Sequence, residues 1–322
     1  MRTMTLYKYD KVYLGNKARE LGFNRDTLEK VSRLYDILRF INTMPILRRN
    51  LALKGGTAIN FTMLGLPRLS VDIDLDFVND CTKEEMLELR ESINEAIRKY
   101  MISEGYEMSP KSKSPHSLDS FVYRYVGVSG NYDNIKIEIN YSLRSHIDQT
   151  EYVQALHPYF PNDFEIHRLS TLEIFASKIN ALLTRAAARD LYDVHNMIIN
   201  TLIKERDMNH LRKSIVFYFS ITSRHIDKPL NTKAIDDINN RMIRRDLMPV
   251  LSKSDSFKLE ETKEVVKRFV SRLLRFTKDE EMFVELFLNN RYEPSLLFDN
   301  KHCLKRINKH PMALWRTKQM IK

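Results

Sequence analysis

The sequence predicts an α+β chain: a mixed α/β part over residues 1–165, followed by a mainly α-helical part over residues 166–322. Three observations carry this expectation. Acidic and apolar residues alternate with period two in LSVDIDLDFV, the pattern of a half-buried strand. FVYRYVGV and IKIEINYSL read as two further strands. From about Ser170 the pattern turns helical almost to the end, and such a change of class points to two structural units. The turn residues of HPYFPND put the boundary near residues 155–168.

Taken in order, the first element is a helix in which Leu28, Val31, Leu34, Tyr35, Leu38 and Ile41 form one core-facing stripe. In LALKGGTAINFTMLG a short apolar stretch meets a glycine pair and then a second apolar segment, as in a tight turn leading into a helix. The acidic strand comes next, and its period places Asp72, Asp74 and Asp76 on one face and Ile73, Leu75 and Phe77 on the other. One face is therefore buried and the other strongly anionic. Thr82 and Glu85 make a capping box ahead of a helical stripe of Met86, Leu89, Ile93, Ile97 and Tyr100, a long amphipathic helix that would cover the sheet. After the polar loop SPKSKSPHS, Ser129, Gly130 and Asn131 supply the turn of a hairpin between the two later strands. Ser170 and Glu173 make a second capping box, opening a helix with the stripe Leu172, Phe175, Ile179, Leu182 and Leu183.

Composition bounds the function. With 43% hydrophobic residues and only 8 Gly and 10 Pro in 322, the chain is an ordinary folded protein. Cys81 and Cys303 lie far apart and form no CxxC pair, which excludes a disulfide framework or a zinc site read from cysteine and fits a reducing compartment. The opening MRTMTLYKYDKVYL lacks the apolar stretch of a signal peptide, and no run approaches the roughly 20 apolar residues of a membrane span. A soluble cytoplasmic protein without membrane contact is the expectation. The net charge of +10 favours an anionic partner such as RNA, DNA or nucleotide phosphates, although charge alone does not choose among them.

Three aspartates on one strand face repel one another unless a cation neutralises them, and carboxylate oxygens suit hard Mg²⁺. The alternative is a solvated edge strand with scattered acids. Gly55, Gly56 and Thr57 lie upstream on the strand-to-helix turn, where backbone N–H groups and a hydroxyl are placed to hold triphosphate oxygens.

Gly56-Thr57 followed by Asp72-Ile73-Asp74 resembles the motif of DNA polymerase β-type nucleotidyltransferases. The fuller string, Leu53 to Ile59 and then Arg68 to Leu75, is similar to the signature of the AbiEii/AbiGii (MenT-like) toxin family within that superfamily. A second match, LSTLEIFASKINALLTRAAARDLYDVHNM, resembles the family's later motif through Glu173, Ala176, Lys178, Arg189, Asp190 and Asp193, and EPSLLF and KHPMALWR resemble stretches near the ends of these toxins.

The resemblance implies a polymerase β-type domain, a mixed sheet flanked by helices, followed by a helical domain that contributes nucleotide-binding residues. It makes Asp72 and Asp74 catalytic metal ligands, with Mg²⁺ as cofactor and Mn²⁺ as an alternative, and a nucleoside triphosphate as substrate. Asp76 is then an extra acid behind the ligands or in solvent. A third carboxylate is expected from a neighbouring strand, where Glu138 faces the same way as Lys136 and Asn140; the competing reading is a half-exposed strand acid paired with a cross-strand Arg or Lys.

Lys178 would neutralise the triphosphate, and Arg185 and Arg189 would grip its oxygens. Asp190 and Asp193 would orient Arg189, contact the nucleotide or act as base, unless these charges form only an intrahelical salt-bridge ladder. By the same resemblance the acceptor is the 3′ end of tRNA, blocking translation in a toxin–antitoxin or phage-defence setting. An antitoxin encoded nearby need not bind the toxin, so no obligatory protein partner is expected. Rival readings are transfer to a protein or small molecule, and a nucleotide-binding pseudoenzyme without turnover. Residues 301–322 carry seven Lys or Arg and no acid, with Trp315 among them, a composition able to bind RNA; the alternative is that Leu314 and Trp315 dock on the core.

Overall fold

The computed structural model describes residues 9–157, 159–223 and 230–319. It divides into two compact units, and the α+β class expected from the sequence is the fold found. The first unit takes in the chain up to Tyr141, together with Glu151–Arg168 and Met248–Ser256.

This unit opens with helix α1 (Lys11–Leu21), capped by Asp10 and closed by left-handed Gly22; no expectation named it. Helix α2 (Arg25–Thr43) carries the stripe read from the sequence, with Leu28, Val31, Leu34, Tyr35 and Leu38 fully buried. There follow α3 (Pro45–Asn50), β1 (Leu51–Lys54), α4 (Gly55–Thr62), β2 (Asp72–Phe77) and α5 (Lys83–Ser103), the last begun by the complete Thr82/Glu85 capping box. The remaining strands are β3 (Glu107–Met108), β4 (Leu118–Val126), β5 (Tyr132–Asn140), β6 (Glu151–Val153) and β7 (Ile166–Arg168).

All seven strands form one mixed sheet of order β3-β4-β5-β2-β1-β7-β6. β4 and β5 make the expected hairpin, with Gly130 at φ +82° in its turn. The sheet's centre positions the chemistry. β2 runs antiparallel to β1 and parallel to β5, so Lys54 lies opposite Asp74 and Asp74 opposite Glu138. The other face of the same strands is apolar: Ile73, Leu75, Phe77, Ile135, Ile137 and Ile139 are buried. Each such side chain contributes about 1.5–3 kcal/mol of burial, which fixes the register, because a one-residue slip would turn the carboxylates inward.

The second unit holds Ser142–Thr150, Leu169–Leu247 and Phe257–Lys322. Its main helices are α6 (Thr171–Arg185), α7 (Ala188–Ile199), α8 (Met208–Thr222), α9 (Leu259–Leu273), α10 (Lys278–Leu288), α11 (Lys301–Ile307) and α12 (Pro311–Gln319). α8 buries Leu211, Ile215, Val216, Phe217, Phe219 and Ile221, so it is apolar nearly all round and forms the unit's core helix.

The second capping box is only half made. Ser170 Oγ accepts from the Glu173 N–H at 3.2 Å, but the Glu173 carboxylate accepts from Ile147 N–H at 2.8 Å and from the Tyr218 hydroxyl. A tertiary demand has overridden the local one, since Glu173 is fully buried and needs those donors. Among the described residues no helix is long and apolar enough to cross a membrane.

Candidate active site

β1 ends at Lys54, and the chain turns into α4 through Gly55 at φ +69°. A β-carbon there would lie 2.6 Å from Asp74 Oδ2, and one on Gly56 would lie 2.6 Å from Arg68 Nη2 and 3.1 Å from Ser70 Oγ. Gly55 thus combines a left-handed backbone with a close carboxylate, while at Gly56 the nearest atoms are side-chain ends that would have to shift. No side chain caps the N-terminus of α4, which leaves the turn's polarity suited to an anion. The Thr57 hydroxyl donates to the Asp72 carbonyl and lies 2.9 Å from Ser70 Oγ, so it ties α4 to the start of β2. Its place is inside that tie, with Thr57 buried.

On the sheet face next to this turn, Asp72 and Asp74 are half-buried, and Glu138 lies directly across from Asp74. Lys136, opposite Asp72, places its Nζ 2.9 Å from Glu138 Oε2. Burial works against the Lys136 charge, but the Glu138 contact and the fields of Glu138, Asp72 and Asp74 outweigh it and raise the ammonium above its ordinary pKa. Glu138 is therefore paired, although with its own strand neighbour and not with the cross-strand base considered from the sequence.

Of the two expected placements of Asp76, solvent is excluded. This residue is only 2% exposed and forms an ion pair with Lys54 Nζ at 2.5 Å. Lys54 was not a candidate residue, and the signal that finds it is the antiparallel register that puts β1 across the acidic strand. Lys54 and Lys136 thus stand among the carboxylates of Asp72, Asp74, Asp76 and Glu138.

Among the described residues no three His, Cys, Asp or Glu side chains converge as a preformed metal cage. An open carboxylate face still has the donor chemistry that Mg²⁺ prefers, because this ion takes one or two carboxylates and completes its octahedron with water and substrate phosphate. Asp72 and Asp74 would hold it, with Glu138 as third donor once released by Lys136.

In the helical unit, Lys178 of α6 places its Nζ 2.9 Å from Asp190 Oδ1 and 3.1 Å from Asp193 Oδ2, both on α7. Arg185 grips Asp190 with Nε at 2.7 Å and Nη2 at 3.0 Å. These ion pairs join two helices, which corrects the intrahelical ladder considered from the sequence; α6 and α7 are separated by a left-handed turn at Ala186 that brings them side by side. Burial opposes the Asp190 charge, yet Lys178 and Arg185 hold its carboxyl below the usual range. Arg189 donates from Nε to the Asp246 carbonyl at 2.8 Å.

The basic end of the chain is anchored through Cys303, Ile307, His310 and Ala313, all buried. Arg306 donates to the His146 and Ile147 carbonyls and Arg316 to that of Ser223, so these two cations serve the fold. Lys301, Lys305 and Lys309 face solvent. Leu314 and Trp315 do not dock on the core; Trp315 is 54% exposed.

The family model for "Nucleotidyl transferase AbiEii toxin, Type IV TA system" matches residues 39–284 of this chain. No curated protein matches the sequence. Among solved structures, the nucleotidyltransferase toxin MenT4 from Mycobacterium tuberculosis H37Rv is similar at a TM-score of 0.57 and 17% identity, covering 90% of this chain and 97% of that one. At that identity the likeness concerns the fold.

Proposed function

Because the chain belongs to the AbiEii family of nucleotidyltransferase toxins, we propose that it transfers a nucleoside monophosphate from a nucleoside triphosphate to the 3′ end of tRNA and so blocks translation. The observation that carries this reading is the register placing Asp74 between Lys54 and Glu138, with the close-approach Gly55 turn against its carboxylate.

In the reaction, the acceptor hydroxyl oxygen bonds to the α-phosphorus while the bond to pyrophosphate breaks, and the hydroxyl proton passes to a carboxylate. Gly55, Gly56 and the uncapped start of α4 hold triphosphate oxygens with backbone N–H groups. Asp72, Asp74 and Glu138 form the anionic face on which the reacting groups are aligned. Mg²⁺ held there would supply charge neutralisation for the attacking and leaving oxygens. In the helical unit, Lys178, Arg185 and Arg189 are the cations proposed for nucleotide binding, and Asp190 and Asp193 hold Lys178 in place. Most of the rate enhancement is then positioning and electrostatics, as phosphoryl transfer generally requires.

The net charge of +10 and the solvent-facing Lys301, Lys305 and Lys309 support a nucleic-acid acceptor. The test is incubation of the full chain with total RNA, Mg²⁺ and each labelled nucleoside triphosphate in turn. Label in tRNA alone is the expected outcome. Label in protein or in small molecules moves the acceptor to one of those classes, and no label with any triphosphate makes the chain a binding protein.

A further inference from the structure

The helical unit contains a cleft of about 360 Å³ that the transfer chemistry does not use. Its lining includes Arg206, Asn209, His210, Lys213, Phe298 and Arg306, none of them among the carboxylate-face or Lys178 residues. We propose that this cleft is a second ligand site, built to take a phosphate group carried by a nucleotide or by an RNA backbone.

Its size lies at the small end of the roughly 300–1,000 Å³ of small-molecule sites, enough for one nucleotide. The charge is preorganised. Arg306 is locked by the carbonyls of His146 and Ile147, which fixes the plane of its guanidinium at the cleft wall. Lys213 has no acid within ion-pair distance among the described residues, and Arg206 lies 3.8 Å from Asp207 with its side chain 76% exposed.

His210 Nε2 lies 2.9 Å from Asp148 Oδ1, and that contact, against the opposing effect of burial, raises the imidazole above its ordinary pKa. Asp148 is one of two acids in the lining, and its charge is taken up by His210 and by the Ser170 hydroxyl at 2.9 Å. The other acid, Asp299, is exposed. Three permanent cations and a supported imidazole line the cleft with two acids, while Glu173 acts on His210 from behind the wall and Asp207 stands beside Arg206. Asn209 and His210 sit in the first turn of the 15-residue α8, and Arg206 in the 3-10 turn Glu205–Asp207 just before it. Phe298 lies against the His210 ring, centroids 5.7 Å apart, and adds an apolar wall suited to a sugar or base.

The proposal does not depend on nucleotidyl transfer, and its test keeps the two apart. The full chain is titrated in EDTA with inorganic phosphate, 5′-AMP and a single-stranded RNA oligonucleotide, following the His210 ring resonances by NMR and the affinities by calorimetry. At least one of the three should move the His210 signals. Arg206→Glu with Lys213→Glu should weaken that binding by about tenfold or more, as expected for lost charge-assisted hydrogen bonds. Lys213→Gln should give a smaller loss in a chain whose fold is checked by its melting profile. Binding of 5′-AMP or phosphate identifies a monoester as the source, and binding of RNA alone identifies the backbone diester. In Asp74→Asn, which disables the carboxylate face, the His210 shifts should persist. Unmoved His210 signals with all three probes, equal affinity in the charge-reversed protein, or loss of the shifts in Asp74→Asn would each overturn the assignment.

Discussion

A β-carbon on Gly55 would stand 2.6 Å from Asp74 Oδ2, so the backbone turn and the central carboxylate of β2 occupy adjoining space with no room for a side chain. Gly55→Ala is expected to cost about 1–2 kcal/mol for an L-residue in the left-handed region, and in addition to push the Asp74 carboxylate away. Nucleotide transfer per folded molecule should fall at least tenfold. Gly105→Ala is the control, because Gly105 has φ +80° and open space around it. It should show a similar drop in melting temperature with transfer unchanged. Equal loss of transfer in both variants would remove the special role of the Gly55–Asp74 contact.

Asp72→Ala and Asp74→Ala should abolish transfer while the melting temperature holds or rises, since each change relieves carboxylate repulsion on a half-exposed face. Lys54→Met should behave in the opposite sense. It leaves the buried Asp76 carboxylate, 2% exposed, without its ion-pair partner. Loss of one partner of a buried pair costs about 3–5 kcal/mol. Chemical denaturation of the three variants separates the two roles; a Lys54→Met protein as stable as wild type would mean that Asp76 does not need the pair.

The Lys178 cluster gives a pH-dependent prediction. Lys178 and Arg185 hold the Asp190 carboxyl low against the effect of burial. A depressed folded-state pKa adds stability that is present above the unfolded value, about 3.9, and is lost as pH falls through the folded value. Melting temperature measured from pH 7 downward should therefore decline more steeply below about pH 4 in wild type than in Asp190→Asn. Lys178→Ala strands two buried carboxylates, so it should lose stability as well as transfer. Lys178→Arg keeps the charge and should recover part of both. Parallel acid profiles for wild type and Asp190→Asn would count against this coupling.

The sequence carried the face of β2 because a period of two fixes it, and it carried the glycine turn because only glycine serves there. It did not carry Lys54. Whether β1 lies beside β2, and in which direction, is a matter of strand order, and period alone says nothing of it. The burial of Asp76 was hidden for the same reason: Asp72, Asp74 and Asp76 are equivalent by period, and only the neighbouring strand shows that Lys54 pairs with Asp76. Glu173 illustrates a different limit. Its spacing from Ser170 fits a capping box, but its fully buried carboxylate is claimed by Tyr218 and by Ile147 from a distant segment. Trp315 looked equally suited to the core or to solvent, since one aromatic in a basic helix has no period to assign it.

If the acceptor is RNA, phosphate contacts made by the chain's basic surface release counterions, and log affinity falls with log salt by about 0.7 per contact for single strands. A small-molecule acceptor makes too few contacts to show such a slope. Lys301, Lys305 and Lys309 are the residues to reverse, because they face solvent, whereas Arg306 is held by two backbone carbonyls and its loss would disturb the fold. With the triphosphate saturating and RNA varied, added salt should raise the apparent KM for RNA in wild type. The Lys301→Glu, Lys305→Glu, Lys309→Glu protein should show a higher KM for RNA at low salt, a shallower salt slope, and an unchanged KM for the triphosphate. Trp315→Ala should weaken RNA with little change in salt slope, because stacking on an exposed indole releases no counterions and is worth about 1–3 kcal/mol per base. A flat slope in both wild type and the charge-reversed protein would shift the acceptor from RNA to a protein or a small molecule, leaving the carboxylate face and its chemistry as they are.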